Sequence, residues 1–226
     1  MNMPASAFPG SPKLLRGGLV QLDPVTSTIV DVIVFQYNPD TMTRTLQPRA
    51  MTGEPGDRLE VLRLTGPPHQ TIKLEAELDA ADQVLEKPSG QPSPPAAGNG
   101  LLPVLASLEA LITPSADQLL TTDALFDRGM LEIAPVQAPL IVLVWGVQRV
   151  VPVVVGSLSI TEEVFDPQLR PIRAKVSLEL KVLTTSDLPI THLGSTLYLG
   201  YRRTAESLAA LVAGTDVRPL GLEHLP

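Results

Sequence analysis

Residues able to carry out acid–base or nucleophilic chemistry are few in this sequence and lie far apart. The three histidines are His69, His192 and His224, and none belongs to an H-E-x-x-H or H-x-E motif. Gly156-Ser157 and Gly194-Ser195 lack the flanking glycines of a nucleophile elbow. The sequence therefore predicts no enzyme activity, no cofactor and no metal site. It leaves open a Ser-His-Asp set that assembles only in the folded chain.

Charged residues alternate with apolar residues along two segments, 69–78 and 172–182. Successive side chains of a β-strand point to opposite faces, so each segment is expected to have one buried face and one polar face. The predicted polar residues are Lys73, Glu75, Glu77, Asp79, Arg173, Lys175, Glu179 and Lys181. Their mixed charge suits either a sheet face in bulk solvent or the wall of a water-filled channel built from several copies.

Glu162 and Glu163 are the one adjacent acid pair that follows a predicted strand. Neighbouring acids on a strand point to opposite faces and could not act together as acid and base. We interpret both as solvated turn residues.

The composition argues against several classes of function. The 226 residues include 17 Lys and Arg against 24 Asp and Glu, and the net charge of −7 argues against nucleic acid as a partner. The chain has no Cys, which removes thiolate nucleophiles and Cys-ligated zinc. Residues 1–18 lack the order of charge and apolar run that marks a signal peptide, and no apolar run is long enough to span a bilayer. We therefore expect a protein that is cytoplasmic at synthesis and does not insert into a membrane.

The succession of patterns predicts a mainly β domain at 18–186, with one flanking α-helix and a short C-terminal helix. A flexible arm at 1–17 precedes this domain, a mobile insertion at 86–100 interrupts it, and a docking extension at 187–226 follows it. The local predictions are a buried strand at 28–37, a helix at 101–112, a hairpin of strands at 140–147 and 150–159, and a helix at 204–212. Trp145 follows an uncharged apolar run and is expected to be a core anchor.

Four motifs occur in a fixed order along the chain. They are Phe35-Gln36-Tyr37-Asn38-Pro39, an L-x-x-L helix that ends at Pro114, Trp145-Gly146, and Phe165 followed by the segment 171–178. In this order they resemble the tube-protein domain of contractile injection systems, a phage-tail-like family whose members cap the spike hub and start the inner tube. Two features differ from the family pattern. The chain has Gln168-Leu169-Arg170 where the family often has a Gly, and its C-terminal extension is too short for a complete LysM module.

The resemblance implies a β-sandwich or split barrel that assembles as a ring of six copies with its inner strands lining a lumen. The implied role is structural, as an adaptor between the spike hub and the inner tube that templates tube assembly. The implied partners are further copies of the chain, the hub or spike protein, the inner tube protein, and baseplate wedge or sheath components. The expected subunit contacts are Phe35, Gln36, Tyr37, Asn38, Pro39, Phe165, Asp166 and Pro171. The alternative is a stand-alone soluble β-rich binding domain, or a hydrolase with a cryptic site.

Overall fold

The computed structural model describes residues 15–23, 26–49, 64–81, 98–127, 138–214 and 217–220. Most of the predicted arm and most of the predicted insertion lie outside these residues. The strands are β1 (Gly18–Leu22), β2 (Ile29–Val34), β3 (Met42–Gln47), β4 (His69–Asp79), β5 (Leu140–Val144), β6 (Val150–Phe165) and β7 (Pro171–Val182). The helices are α1 (Leu102–Ala110), α2 (Ala116–Asp127) and α3 (Leu193–Ala210), with a 3₁₀ turn at Arg218–Leu220. The fold is mainly β, as predicted.

All seven strands form one antiparallel sheet in the order β2-β1-β5-β6-β7-β4-β3. β2 and β3 therefore lie at opposite edges, although only the segment 35–41 joins them. In a flat sheet of this size the two edges would be about 29 Å apart, the full reach of that segment.

The sheet is instead curled, and the connection between its two edges is partly buried. The Gln36 side chain, only 7 % exposed, donates to the Asp79 carbonyl at 2.8 Å and accepts from the Asp79 N–H at 2.9 Å. Asp79 ends β4, the neighbour of the edge strand β3. These bonds hold the end of β2 against the far side of the sheet, which gives an open barrel whose edge strands β2 and β3 are not paired with each other.

The main core lies inside this curl. It contains fully buried side chains from central strands, such as Leu143, Val151 and Leu180, and α1 covers it with the leucines of its inner face. These helix residues are Leu101, Leu105, Leu108 and Leu111. Their helical spacing is the pattern that predicted this helix correctly.

A smaller apolar cluster lies on the opposite face of β1 and β5. Leu22, Leu140 and Val142 are buried there beneath the first turns of α3, which contribute Leu193 and Leu197. α3 also places Tyr198 in the main core, so this one helix contacts both clusters.

β4 and β7 confirm the predicted alternation, since their even-numbered residues are buried from Ile72 to Leu78 and from Ala174 to Val182. β6 is longer than predicted and contains a register shift between Val155 and Ser157. Because of this bulge, the core side of β6 changes from odd numbers such as Val153 to even numbers such as Leu158.

Three local predictions are wrong. The strand expected at 28–37 is the edge strand β2, and four of its six residues are at least half exposed, because only β1 lies beside it. The C-terminal helix begins at Leu193 rather than at 204, since its first turns are the part that packs on the sheet. Glu162 and Glu163 belong to β6 rather than to a turn. β3 and α2 have no counterpart in the sequence predictions.

Candidate functional site

Four adjacent strands, β3, β4, β7 and β6, present a common face made of hydroxyl and charged side chains. We call this surface the polar face. Its members are Thr43, Thr45, Thr71, Lys73, Glu75, Glu77, Asp79, Arg173, Lys175, Ser177, Glu179, Lys181, Ser157, Ser159, Thr161 and Glu163. Strand register aligns them in rows, such as Thr43, Lys73, Glu179 and Ser157. The eight predicted polar residues from Lys73 to Lys181 therefore lie together on one surface.

Cross-strand ion pairs neutralise most charges of the polar face. The N···O distance is 3.1 Å in each of Lys73–Glu179, Arg173–Asp79 and Lys175–Glu163. Hydrogen bonding to Asp79 raises the pKa of Arg173, and hydrogen bonding to Glu163 raises the pKa of Lys175. Both cations therefore stay protonated at physiological pH. The cations of these pairs are largely exposed, so the pairs contribute little stability, and their main effect is to balance charge.

A shallow depression of about 430 Å³ lies in the middle of the polar face. Its walls carry the hydroxyls of Thr41, Thr43, Ser157, Ser159 and Ser177 beside the charges of Lys73, Glu75 and Glu179. Among the described residues, no group of three His, Cys, Asp or Glu side chains could hold a metal ion.

Within the part of the chain that the structure describes, strand edges with no further strand beside them border the polar face on both sides. β3 has β4 as its one neighbour among the described strands. β6 pairs with β5 only from Val150 to Val153, and among the described strands it has β7 alone as a neighbour from Ser157 to Phe165. β3 and this distal half of β6 run in opposite directions, because β4 and β7 separate them in an antiparallel sheet.

The residues of the first motif act largely within the chain. Phe35 is 3 % exposed and packs against Trp145, with ring centroids 6.3 Å apart. Asn38 accepts from the Gly17 N–H and donates to the Leu15 carbonyl, both at 2.8 Å, and so fixes the chain entering β1. Trp145 is half-buried at the rim of the core.

The remaining motif residues differ in exposure. Tyr37 is 40 % exposed and Pro39 is half-buried. The subunit contacts expected at 35–39 stay a prediction, and Tyr37 is the exposed aromatic side chain of this segment.

The predicted contact loop from Phe165 to Pro171 is the turn between β6 and β7. Asp166 organises it by accepting from the N–H groups of Gln168 and Arg170 at 2.8 and 3.0 Å and from Arg170 Nε at 2.6 Å. The backbone hydrogen bond from Arg170 is the main cause that lowers the pKa of Asp166. Phe165 is 49 % exposed, whereas Pro171 is buried and accepts a backbone hydrogen bond from Leu101.

Leu169 shows how this turn forms without the glycine of the family pattern. Its φ of 60° lies in the left-handed region, which glycine adopts without strain and leucine does not. We call the ion pair and hydrogen bonds between Asp166 and Arg170 the Asp166–Arg170 clamp. The four-residue spacing of these two residues is its sequence signal, and the sequence predictions missed it.

No protein-family model and no curated protein sequence matches the chain. Within the part of the chain that the structure describes, every helix is too short or too polar to cross a bilayer.

Proposed function

We propose that the chain is a structural ring component of a contractile injection system, which adapts the spike hub to the inner tube and templates tube assembly. The polar face carries this proposal. Its hydroxyls and paired charges are hydrated. They present to passing cargo neither an apolar patch nor a strong electrostatic field of one sign. Such a surface suits the wall of a channel.

The borders of the polar face support a ring. When copies stand side by side in the same orientation, β3 of one copy can pair antiparallel with the distal half of β6 of the next. The backbone groups of both edges are then hydrogen-bonded to the neighbouring copy. Pairing of exposed edge groups is the general reason why sheets close. A contact between two different surfaces of the same chain repeats from copy to copy and closes into a ring when the rotation permits.

Charge complementarity selects a register for this contact. Arg44 and Glu162 are exposed and lie on the core side of their strands. Placing Arg44 opposite Glu162 of the next copy aligns Thr45 with Thr161 and Gln47 with Ser159, so the polar face continues without interruption from one copy to the next.

The assembly partners follow from the resemblance of the motifs rather than from the geometry. Tyr37, in the segment that follows β2, and Phe165, at the end of β6, are exposed, and we propose that they contact a hub or tube protein. No catalytic step is part of this role.

A charge exchange tests the proposed ring contact. Glu162→Arg should reduce ring formation at least tenfold, because Arg44 and the new Arg would face each other, and Arg44→Glu combined with Glu162→Arg should restore it. Size-exclusion chromatography with light scattering measures the assembly. Arg203→Glu, on the exposed side of α3, is the control and should leave assembly unchanged.

Two results would contradict the proposal. One is a chain that remains monomeric at every concentration, alone and when co-expressed with candidate hub and tube proteins. The other is a ring that Glu162→Arg does not affect.

A further inference from the structure

The edge strand β2 is unusually apolar for an exposed edge. Ile29, Val30, Val32 and Val34 are 65, 58, 50 and 52 % exposed, and the strand contains no Lys, Arg or Pro. In natural edge strands, residues of these types normally prevent pairing with a strand of another chain. β3, the other edge, carries Thr, Arg and Gln instead.

Among the described strands, the backbone groups of β2 that face away from β1 belong to Val32 and Val34. The Phe35 N–H donates to the Gly17 carbonyl at 2.9 Å, so this opposed pair is hydrogen-bonded. Bonded and non-bonded pairs alternate along an antiparallel ladder, so Ile33 also bonds to β1. Val32 and Val34 therefore direct their N–H and C=O groups away from the sheet, and their side chains lie on the face opposite Ile33.

One acidic side chain partly blocks this edge, and we call it the guard. The Asp31 carboxylate accepts from the Val32 N–H at 2.8 Å and so occupies the donor that a new strand would need. It is the only charged residue of β2.

We propose that β2 is a self-association edge, at which a second copy of this chain adds its own β2 antiparallel about a two-fold axis through Ile33. This register pairs Val32 with Val34 of the second copy in both directions. It uses the N–H and C=O groups of both residues, and the Val32 N–H becomes available when Asp31 releases it. An axis through Asp31 would place two carboxylates opposite each other. An axis through Val32 would pair Val34 with Val30 of the second copy, and Val30 lies at the register shift of β2, where the regular ladder is interrupted.

The area of the contact determines its strength. Stable dimers bury about 800 Å² per partner, and one short strand edge supplies only part of that. The association is therefore weak in the free chain, and displacement of Asp31 strengthens it. The contact does not involve β3 or β6, so it is independent of the proposed ring.

The absence of Cys makes covalent trapping a direct test. A mixture of Val32→Cys and Val34→Cys chains should form mixed disulfide dimers at least five times faster than either variant alone, because only the mixed pair lies directly opposite, about 5.5 Å apart. Thr45→Cys on β3 is the matched control for an exposed edge and should cross-link at the background rate with Val34→Cys.

The guard is tested separately. Asp31→Ala should raise the rate of mixed cross-linking several-fold, whereas Asp40→Ala, an exposed acid beyond the strand, should not. Circular dichroism checks that the variants keep their fold. Background rates in every mixture would overturn the proposal. Fastest cross-linking by Val32→Cys alone, or no effect of Asp31→Ala in a folded chain, would also overturn it.

Discussion

β7 and β2 are both strands rich in apolar residues, but they have opposite environments. β7 lies in the middle of the sheet, and its even-numbered side chains from Ala174 to Val182 are nearly all inaccessible. β2 is an edge, and only Ile33 among its six residues is buried. Alternation along β7 identified its buried face directly. The nearly continuous apolar run of β2 predicted burial and instead marks an uncovered edge. A local pattern reports which side of a strand is apolar, and it does not report how many neighbours the strand has.

The largest expected effect is in the core. Leu180→Ala should lower the free energy of unfolding by about 3 to 4 kcal/mol, because a fully buried leucine loses its contacts and leaves a cavity. Val32→Ala on β2 should cost less than about 1 kcal/mol, since half of that side chain is already in solvent. Urea unfolding measures both. Similar costs for the two substitutions would mean that the two strands do not differ as described.

The next effect concerns the buried link that holds β2 to the far side of the sheet. Gln36→Leu should lower the free energy of unfolding by about 2 kcal/mol, because it leaves both backbone groups of Asp79 unpaired. Gln70 is the matched control. It is also buried, and within the described part of the chain its Nε2 has no hydrogen-bond partner. Gln70→Leu should be neutral or stabilising. The reverse order of the two variants in urea unfolding would contradict the assigned role of Gln36.

A smaller effect is expected at the turn between β6 and β7. Asp166→Asn should lower the melting temperature at neutral pH, because it removes the charge that Arg170 binds. The pKa of Asp166 is lowered in the folded chain from its usual value of 3.8, so its stabilising effect is present above that value and is lost as the pH falls through the folded pKa. The melting temperatures of the variant and the unaltered chain should therefore converge on acidification. A difference that stays constant down to pH 2 would exclude this account.

The smallest effect is at Leu169. Leu169→Gly should raise the free energy of unfolding by up to about 0.5 kcal/mol, because relief of the left-handed backbone slightly outweighs the greater freedom of glycine in the unfolded chain. Leu169→Ala keeps the strained backbone and serves as the control. Calorimetry should place Leu169→Gly above Leu169→Ala in melting temperature, and the opposite order would rule out strain at this position.

The sequence predicted the elements whose stability comes from a periodic apolar face. β4, β7 and α1 each bury one such face, so period alone located them. β3 escaped prediction because its residues are nearly all exposed and mostly polar, so no periodic apolar face marks it in the sequence. The start of α3 was missed because Gly194 and Ser195 are weak helix formers that are buried against the sheet in the folded chain.

The polar face was predicted in part for the same reason. Residues of β4 and β7 followed from alternation, but the hydroxyls of β3 and β6 join them only through strand order. The Asp166–Arg170 clamp and the guard at Asp31 are individual contacts that no periodic pattern encodes.

The most direct test of the central proposal measures access to the polar face in an assembled ring. Glu75→Cys and Glu179→Cys each place a single thiol on that face in a chain without cysteine, and Arg203→Cys on α3 is the control. The ring is isolated by size and treated with a small maleimide and with a maleimide linked to a large polymer. The proposal predicts that the small reagent labels all three thiols, and that the polymer labels the Arg203→Cys thiol but not the other two. Equal labelling of all three by the polymer, in the ring as in the free chain, would show that the polar face is an ordinary solvent-exposed sheet surface.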